Sequence, residues 1–325
     1  MKHRQLIAFL CVLWIPILGH ARAYLYEKNF RNLGKSYINK LEDFPTDNIN
    51  ALPESQQQAC LQRYSTLIND SFLDIRISIG YFDWTIGKEV RDGTRNYGLS
   101  PSLDLGAYEA VKDLLTSRCS GNARFCGFNQ DGDYSFTKDV NIQGRQVRAR
   151  ILMSFSSESE SFDNNLASPS QVTRTKYMES FWAQSLQRAD ASFYFAHSRN
   201  GGGPDFAPPV LIPGQNKVNY NGYYKVYQPG FKKMLAALNS GNGQARIIGL
   251  MSCDSRDHFL RRLRTTAPHS GIITSTNVVT VERVYTAMIG AIDALLRGQC
   301  QKSFFKELRM TSENAENITM DGMFE

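Results

Sequence analysis

Ala191-Ser192-Phe193-Tyr194-Phe195-Ala196-His197 and Ala245-Arg246-Ile247-Ile248-Gly249-Leu250-Met251-Ser252-Cys253 decide how this chain is read. Each is a short apolar run that breaks abruptly into polar, Gly- or Asp-containing sequence. That length and composition mark a buried strand. A helix-like stretch separates the two. If they are parallel neighbours, His197 and Cys253 emerge from one edge of the sheet, where open α/β folds place their sites. A thiol beside an imidazole is the minimal kit for nucleophilic catalysis.

The surrounding pattern gives the fold class. Leu73 to Gly80 alternates apolar and polar residues as a strand does. Asp104 to Thr116 carries Leu105, Ala107, Tyr108, Val111, Leu114 and Leu115 at helical spacing, with Ser102 or Asp104 as a cap. Tyr134 to Phe155 holds two strand-like runs around Gln143-Gly144. Further helices are expected over Glu54 to Asn69, Thr173 to Ala189, Tyr223 to Leu238 (broken near Pro229), from His258, and over Glu282 to Leu296. A β-branched strand is expected from Gly271 to Val281. Thr85 to Pro101 and the Ser-Glu stretch from Ser157 to Asn165 read as loops. Strands alternating with helices at this spacing imply βαβ units: an α/β fold with a mainly parallel sheet and helices on both faces.

The ends of the chain carry other information. Met1-Lys2-His3-Arg4, an apolar Leu6 to Leu18 and Ala21-Arg22-Ala23 read as a secretory signal peptide over residues 1–23. Its apolar core is too short for a membrane span, so no stable membrane insertion is expected. The product is expected to be exported, to a periplasm or the medium. Residues 24–70 read as an N-terminal extension, 71–305 as the α/β domain and 306–325 as a loose polar tail. Losing the signal removes Lys2, Arg4 and Arg22 and no acid, lowering the formal charge from +6 to +3. That balance, without a basic stripe, argues against nucleic acid.

Five cysteines remain after the signal: Cys60, Cys119, Cys126, Cys253 and Cys300. In an oxidising compartment structural cysteines pair, and an odd count leaves one over. Cys119 with Cys126 is the shortest loop to close. Cys60 with Cys300 would tie the ends of the chain together, leaving Cys253 free.

Several chemistries are excluded by pattern. Asp254, Asp257 and His258 are too close together to form one ligand face, and neither Cys-x-x-Cys nor His-Glu-x-x-His occurs, so no metal is expected. Gly201-Gly202-Gly203 lacks the spacing of a phosphate or dinucleotide loop. No Gly-x-Ser-x-Gly elbow is present. What remains is Cys253 as nucleophile and His197 as its base. The amide of Cys253, and one from Gly201, Gly202 or Gly203, would hold the oxyanion. A helix starting after Cys253 would favour its thiolate. Asp205 would face a basic substrate side chain or Arg199 an acidic one, unless both are local ion-pair residues. Asp254 would cap the helix that follows.

The strand ending in histidine, the Gly-rich loop, the helix, and the strand ending in Ser252-Cys253-Asp254-Ser255 resemble the caspase-like fold, which includes caspases, metacaspases, legumains and gingipains. The resemblance covers Leu73 to Leu296 and implies a three-layer sandwich, a His197–Cys253 dyad, and hydrolysis of peptide bonds in a protein or peptide substrate without a cofactor. The family's glycine directly after the histidine is replaced here by Ser198-Arg199-Asn200. That departure favours the alternative, a non-catalytic exported binding or scaffold protein on the same fold.

Overall fold

In the computed structural model, which describes residues 24–83, 87–241 and 244–324, ten strands form two sheets. They are β1 (Phe72–Ile79), β2 (Glu89–Asp92), β3 (Arg95–Leu99), β4 (Asn129–Gly132), β5 (Ser135–Ile142), β6 (Arg145–Phe155), β7 (Ala191–Phe195), β8 (Ile247–Met251), β9 (Gly271–Ser275) and β10 (Ile318–Asp321). The main sheet has the order β10-β9-β8-β7-β1-β6-β5-β4. Its five central strands, β6, β1, β7, β8 and β9, run parallel, and antiparallel strands close both edges. The chain is therefore α/β, with helices packed against the sheet, as its alternating pattern requires.

Every residue of β7, β8 and β9 is buried. Strands covered on both faces read as uninterrupted apolar runs rather than alternations, which is why these segments stood out. The β5–β6 hairpin turns through Gln143 (φ 51°) and Gly144 (φ 83°). Two successive positive φ values in a two-residue loop match the twist of the flanking strands. The helix Asp104–Thr116 forms over the expected residues and buries the expected face. Its N-cap is Leu103, without a side-chain cap. Asp104 turns inward instead, accepting from the amides of Ser156 at 2.9 Å and Ser157 at 2.5 Å and from the Ser157 hydroxyl at 2.7 Å.

Four expectations change. Within Thr85 to Pro101, β2 and β3 form a separate hairpin. Its strands are short, charged and largely exposed, so no apolar alternation announced them. Within the Ser-Glu stretch, Phe162–Ala167 is a short helix capped by Ser161. The N-terminal segment is not an appendage: Phe30, Tyr37, Ile38 and Leu41 of the helix Glu27–Glu42 are buried against the helices Asp104–Thr116 and Val281–Arg297. The C-terminal segment is not loose either. It forms the helices Gln301–Leu308 and Ser312–Asn317 and then β10, which pairs with β9 and buries Met323 and Phe324. Its few apolar residues sit on the inward faces, and the polar majority hid them from a reading by average composition.

Disulfides join Cys60 to Cys300 and Cys119 to Cys126, and Cys253 is a free thiol. The first bond ties the N-terminal helix Glu54–Leu67 to the start of Gln301–Leu308. No helix among the described residues is long and apolar enough to cross a membrane. The signal-peptide segment lies outside the described residues.

Candidate active site

β1 leads to β6 on one side, and β7 lies on the other side of β1, followed outward by β8 and β9. The strand order thus reverses between β1 and β7. At such a point the loops leaving two neighbouring strands diverge and open a crevice beyond their C-terminal ends. Three side chains meet the crevice from three strands: Asp83 after β1, His197 after β7 and Cys253 after β8. β7 and β8 pair in register, Phe195 opposite Met251, and the Ala196 amide extends the ladder to the Met251 carbonyl at 3.3 Å. His197 and Cys253 each lie two residues beyond that last pair. Both border the same two adjoining cavities, of about 160 and 410 Å³.

His197 Nε2 lies 3.2 Å from the Asp83 carbonyl oxygen and 3.5 Å from Asp83 Oδ1. A carbonyl only accepts, so this contact assigns the proton to Nε2 and leaves a lone pair on Nδ1. The Phe82 ring meets the imidazole edge-on, with centroids 5.2 Å apart. Burial lowers the His197 pKa; Asp83 opposes that shift and the Arg199 charge reinforces it. The ring is therefore neutral near pH 7, the state a general base needs.

Cys253 Sγ contacts the Val279 carbonyl at 3.2 Å. Burial raises the thiol pKa above its ordinary value, and the Asp254 carboxylate adds to the rise. Thiol and imidazole are thus both uncharged near pH 7, and the thiol donates to the Val279 carbonyl. The helix dipole does not prevail here. The turn of helix starting at Arg256 is capped at Ser255 without a side-chain bond, and Asp254 contributes only its backbone carbonyl, which accepts from the His258 amide at 3.0 Å. Asp254 itself has φ 46°. A non-glycine residue held in the left-handed region costs roughly 1 kcal/mol or more. That strain sits directly after the thiol.

The glycine run plays a different part from the one expected. The Gly201 and Gly203 amides donate to the Ser198 carbonyl at 3.1 and 2.9 Å, and the Gly202 amide donates to the Arg199 carbonyl at 3.0 Å. All three donors are spent inside the loop, so none is free for an oxyanion. The glycines serve close packing: a Cβ on Gly202 would lie 2.7 to 2.9 Å from Tyr224 atoms.

Arg199 and Asp205 are paired with each other. Arg199 is 1% exposed, and its Nη1 lies 2.8 Å from Asp83 Oδ1 and its Nε 3.3 Å from Asp205 Oδ2. These are charge contacts without hydrogen-bond alignment. Nη2 donates to the Tyr81 carbonyl at 3.3 Å, and the guanidinium sits 5.6 Å over the Tyr224 ring. Both charges are committed within the protein, which matches the local ion-pair reading. The cluster does two things. It neutralises Asp83 beneath His197, and it holds the loop that carries the histidine, whose Arg199 and Asn200 both adopt left-handed φ near 50°.

The sequence reading of this site missed Asp83 and weighed His258 only as a metal ligand. Asp83 ends the run Ile79-Gly80-Tyr81-Phe82, an apolar stretch breaking at a polar residue as the other two strands do. That signal was available. His258 borders the larger cavity, as His197 does, and packs on Gly201, where a Cβ would lie 3.1 Å from its Nδ1. Its burial-lowered pKa keeps it neutral as well.

Comparison with protein-family models, curated proteins and solved structures finds no match to this chain.

Proposed function

We propose that this chain is an exported cysteine peptidase with a caspase-like arrangement, Cys253 acting as nucleophile and His197 as general acid and base. One observation carries the reading: thiol and imidazole leave adjacent parallel strands at equal register and border a common crevice at the reversal of strand order. Neither residue packs a core alone, and a free thiol is kept at the crevice while the other four described cysteines are paired. Those disulfides, with the reading of residues 1–23, support export.

In this mechanism His197 Nδ1 takes the Sγ proton as sulfur bonds to the scissile carbonyl carbon. The tetrahedral oxyanion faces the Cys253 amide. The imidazolium then returns the proton to the leaving amine as the carbon–nitrogen bond breaks. Water, deprotonated by the same nitrogen, hydrolyses the thioester and restores the thiol. Asp83 positions the ring through its carbonyl and stabilises the transient imidazolium through its carboxylate.

A peptide probe carrying a thiol-reactive group tests this directly. The expected result is rapid labelling at Cys253, slowed about 100-fold or more by His197→Ala, the usual scale of general acid–base assistance. Slow labelling that ignores His197→Ala sinks the peptidase. It leaves the non-catalytic binding protein, a reading favoured by one observation, that the glycine amides are already spent.

A further inference from the structure

The smaller cavity beside Cys253 has a definite chemical character. Phe82, Leu103, Ala196, Val279, Val281 and Val284 form most of its wall, with His197 and Cys253 at its border. Its one carboxylate, Asp83, is fully buried and sits on Arg199, so it presents no unpaired charge. The volume, about 160 Å³, matches the scale at which an apolar protein cavity of about 150 Å³ accepts benzene. Ser252 also borders it, 1% exposed, with a hydroxyl that has no hydrogen-bond partner among the described residues. A second cavity, of about 330 Å³, shares Leu103 and Val281 and continues along Tyr26, Phe30 and Leu33.

We infer that this cavity is the specificity pocket of the site, and that it takes an uncharged aliphatic or phenyl side chain on the residue whose carbonyl Cys253 attacks. The inference rests on the peptidase reading. A side chain one bond from a carbonyl held at Sγ reaches the pocket that Sγ borders. An acidic or basic side chain there would lie among valines with no free counter-charge, because the Asp83 and Arg199 charges face each other at 2.8 Å, and burying an unpaired charge is strongly unfavourable. Arg199 and Asp205, committed to each other, therefore do not set specificity.

Peptidyl chloromethyl ketones that differ only in the last residue test this. The thiol proton passes to His197, sulfur bonds to the methylene carbon, and chloride leaves. The leucyl reagent should alkylate Cys253 at least 10-fold faster than the glycyl, aspartyl or lysyl reagents, since even one methylene in an apolar pocket is worth roughly 10-fold or more. Val281→Phe, at the rim, should slow the leucyl reagent about 10-fold more than it slows iodoacetamide. Equal rates for all four reagents, or an aspartyl or lysyl preference, overturn the pocket while the reactive dyad stands. If Val281→Phe slows iodoacetamide equally, the pocket is overturned too. If no peptidyl reagent reacts faster with the native chain than with His197→Ala, the peptidase reading fails and the pocket goes with it.

Discussion

Replacing Asp83 by Asn keeps the side chain's shape and removes one charge from a sealed cluster. The carboxylate is fully buried, 2.8 Å from Arg199 Nη1 and 3.5 Å from His197 Nε2. Breaking a buried pair by deleting one partner costs about 3–5 kcal/mol, because the survivor is left uncompensated. Arg199 retains Asp205 and the Tyr81 carbonyl, so the loss is expected at the lower end, about 3 kcal/mol. A second effect is independent of the first. Asp83 is the charge that holds the His197 pKa up against burial and Arg199. Without it that pKa moves further down, so the acid limb of the pH–rate profile for Cys253 alkylation moves to lower pH. Asp205→Asn is the control: it also removes a partner of Arg199 but makes no contact with His197. Urea unfolding of the three proteins reads the stability term, and alkylation rates from pH 4 to 9 read the titration. The reasoning is refuted if Asp83→Asn unfolds within 1 kcal/mol of the native chain, or if both variants shift the pH profile alike.

Other tests address the scaffold around the site. Gly202→Ala should cost about 1–3 kcal/mol and slow Cys253 labelling, because its Cβ meets Tyr224 backbone and side-chain atoms at under 3 Å; native-like stability and labelling would contradict this. Removing the Cys60–Cys300 bond, which closes a 240-residue separation, should cost about 5 kcal/mol, against about 2.5 kcal/mol for Cys119–Cys126 with its separation of 7. Equal costs by thermal unfolding would rule out chain entropy as the main cause. Burial raises the folded pKa of Asp104 to about 6, Asp190 to about 7 and Glu307 to about 9. The folded chain thus binds more protons than the unfolded one above the ordinary carboxylate range, so these groups make stability fall as pH rises from 5 to 8. Asp104 alone accounts for about 1 kcal/mol between pH 5 and 6. Unfolding free energies that increase across that window would contradict the sign.

Local periodicity made much of the scaffold legible. β1, β7, β8 and the helix Asp104–Thr116 were readable because each buries a face, or both faces, with contiguous residues, and hydrophobic patterning is a local signal. The hairpin β2–β3 and the edge strand β10 were not, because their ladders depend on a partner and bury few apolar side chains. The two disulfides fitted loop length and parity, which are countable on the chain.

The site divides the same way. The sequence by itself singled out a thiol and an imidazole at the ends of two apolar runs, since reactive groups are recognisable by type. Only the tertiary structure decided what surrounds them. It brought Asp83 from a distant strand to the imidazole, turned Arg199 and Asp205 onto each other, and consumed the glycine amides within their own loop. The physical reason is range: an apolar period is written along a few neighbouring residues, whereas charge pairing and the direction of an N–H are fixed by what the folded backbone sets a few ångströms away.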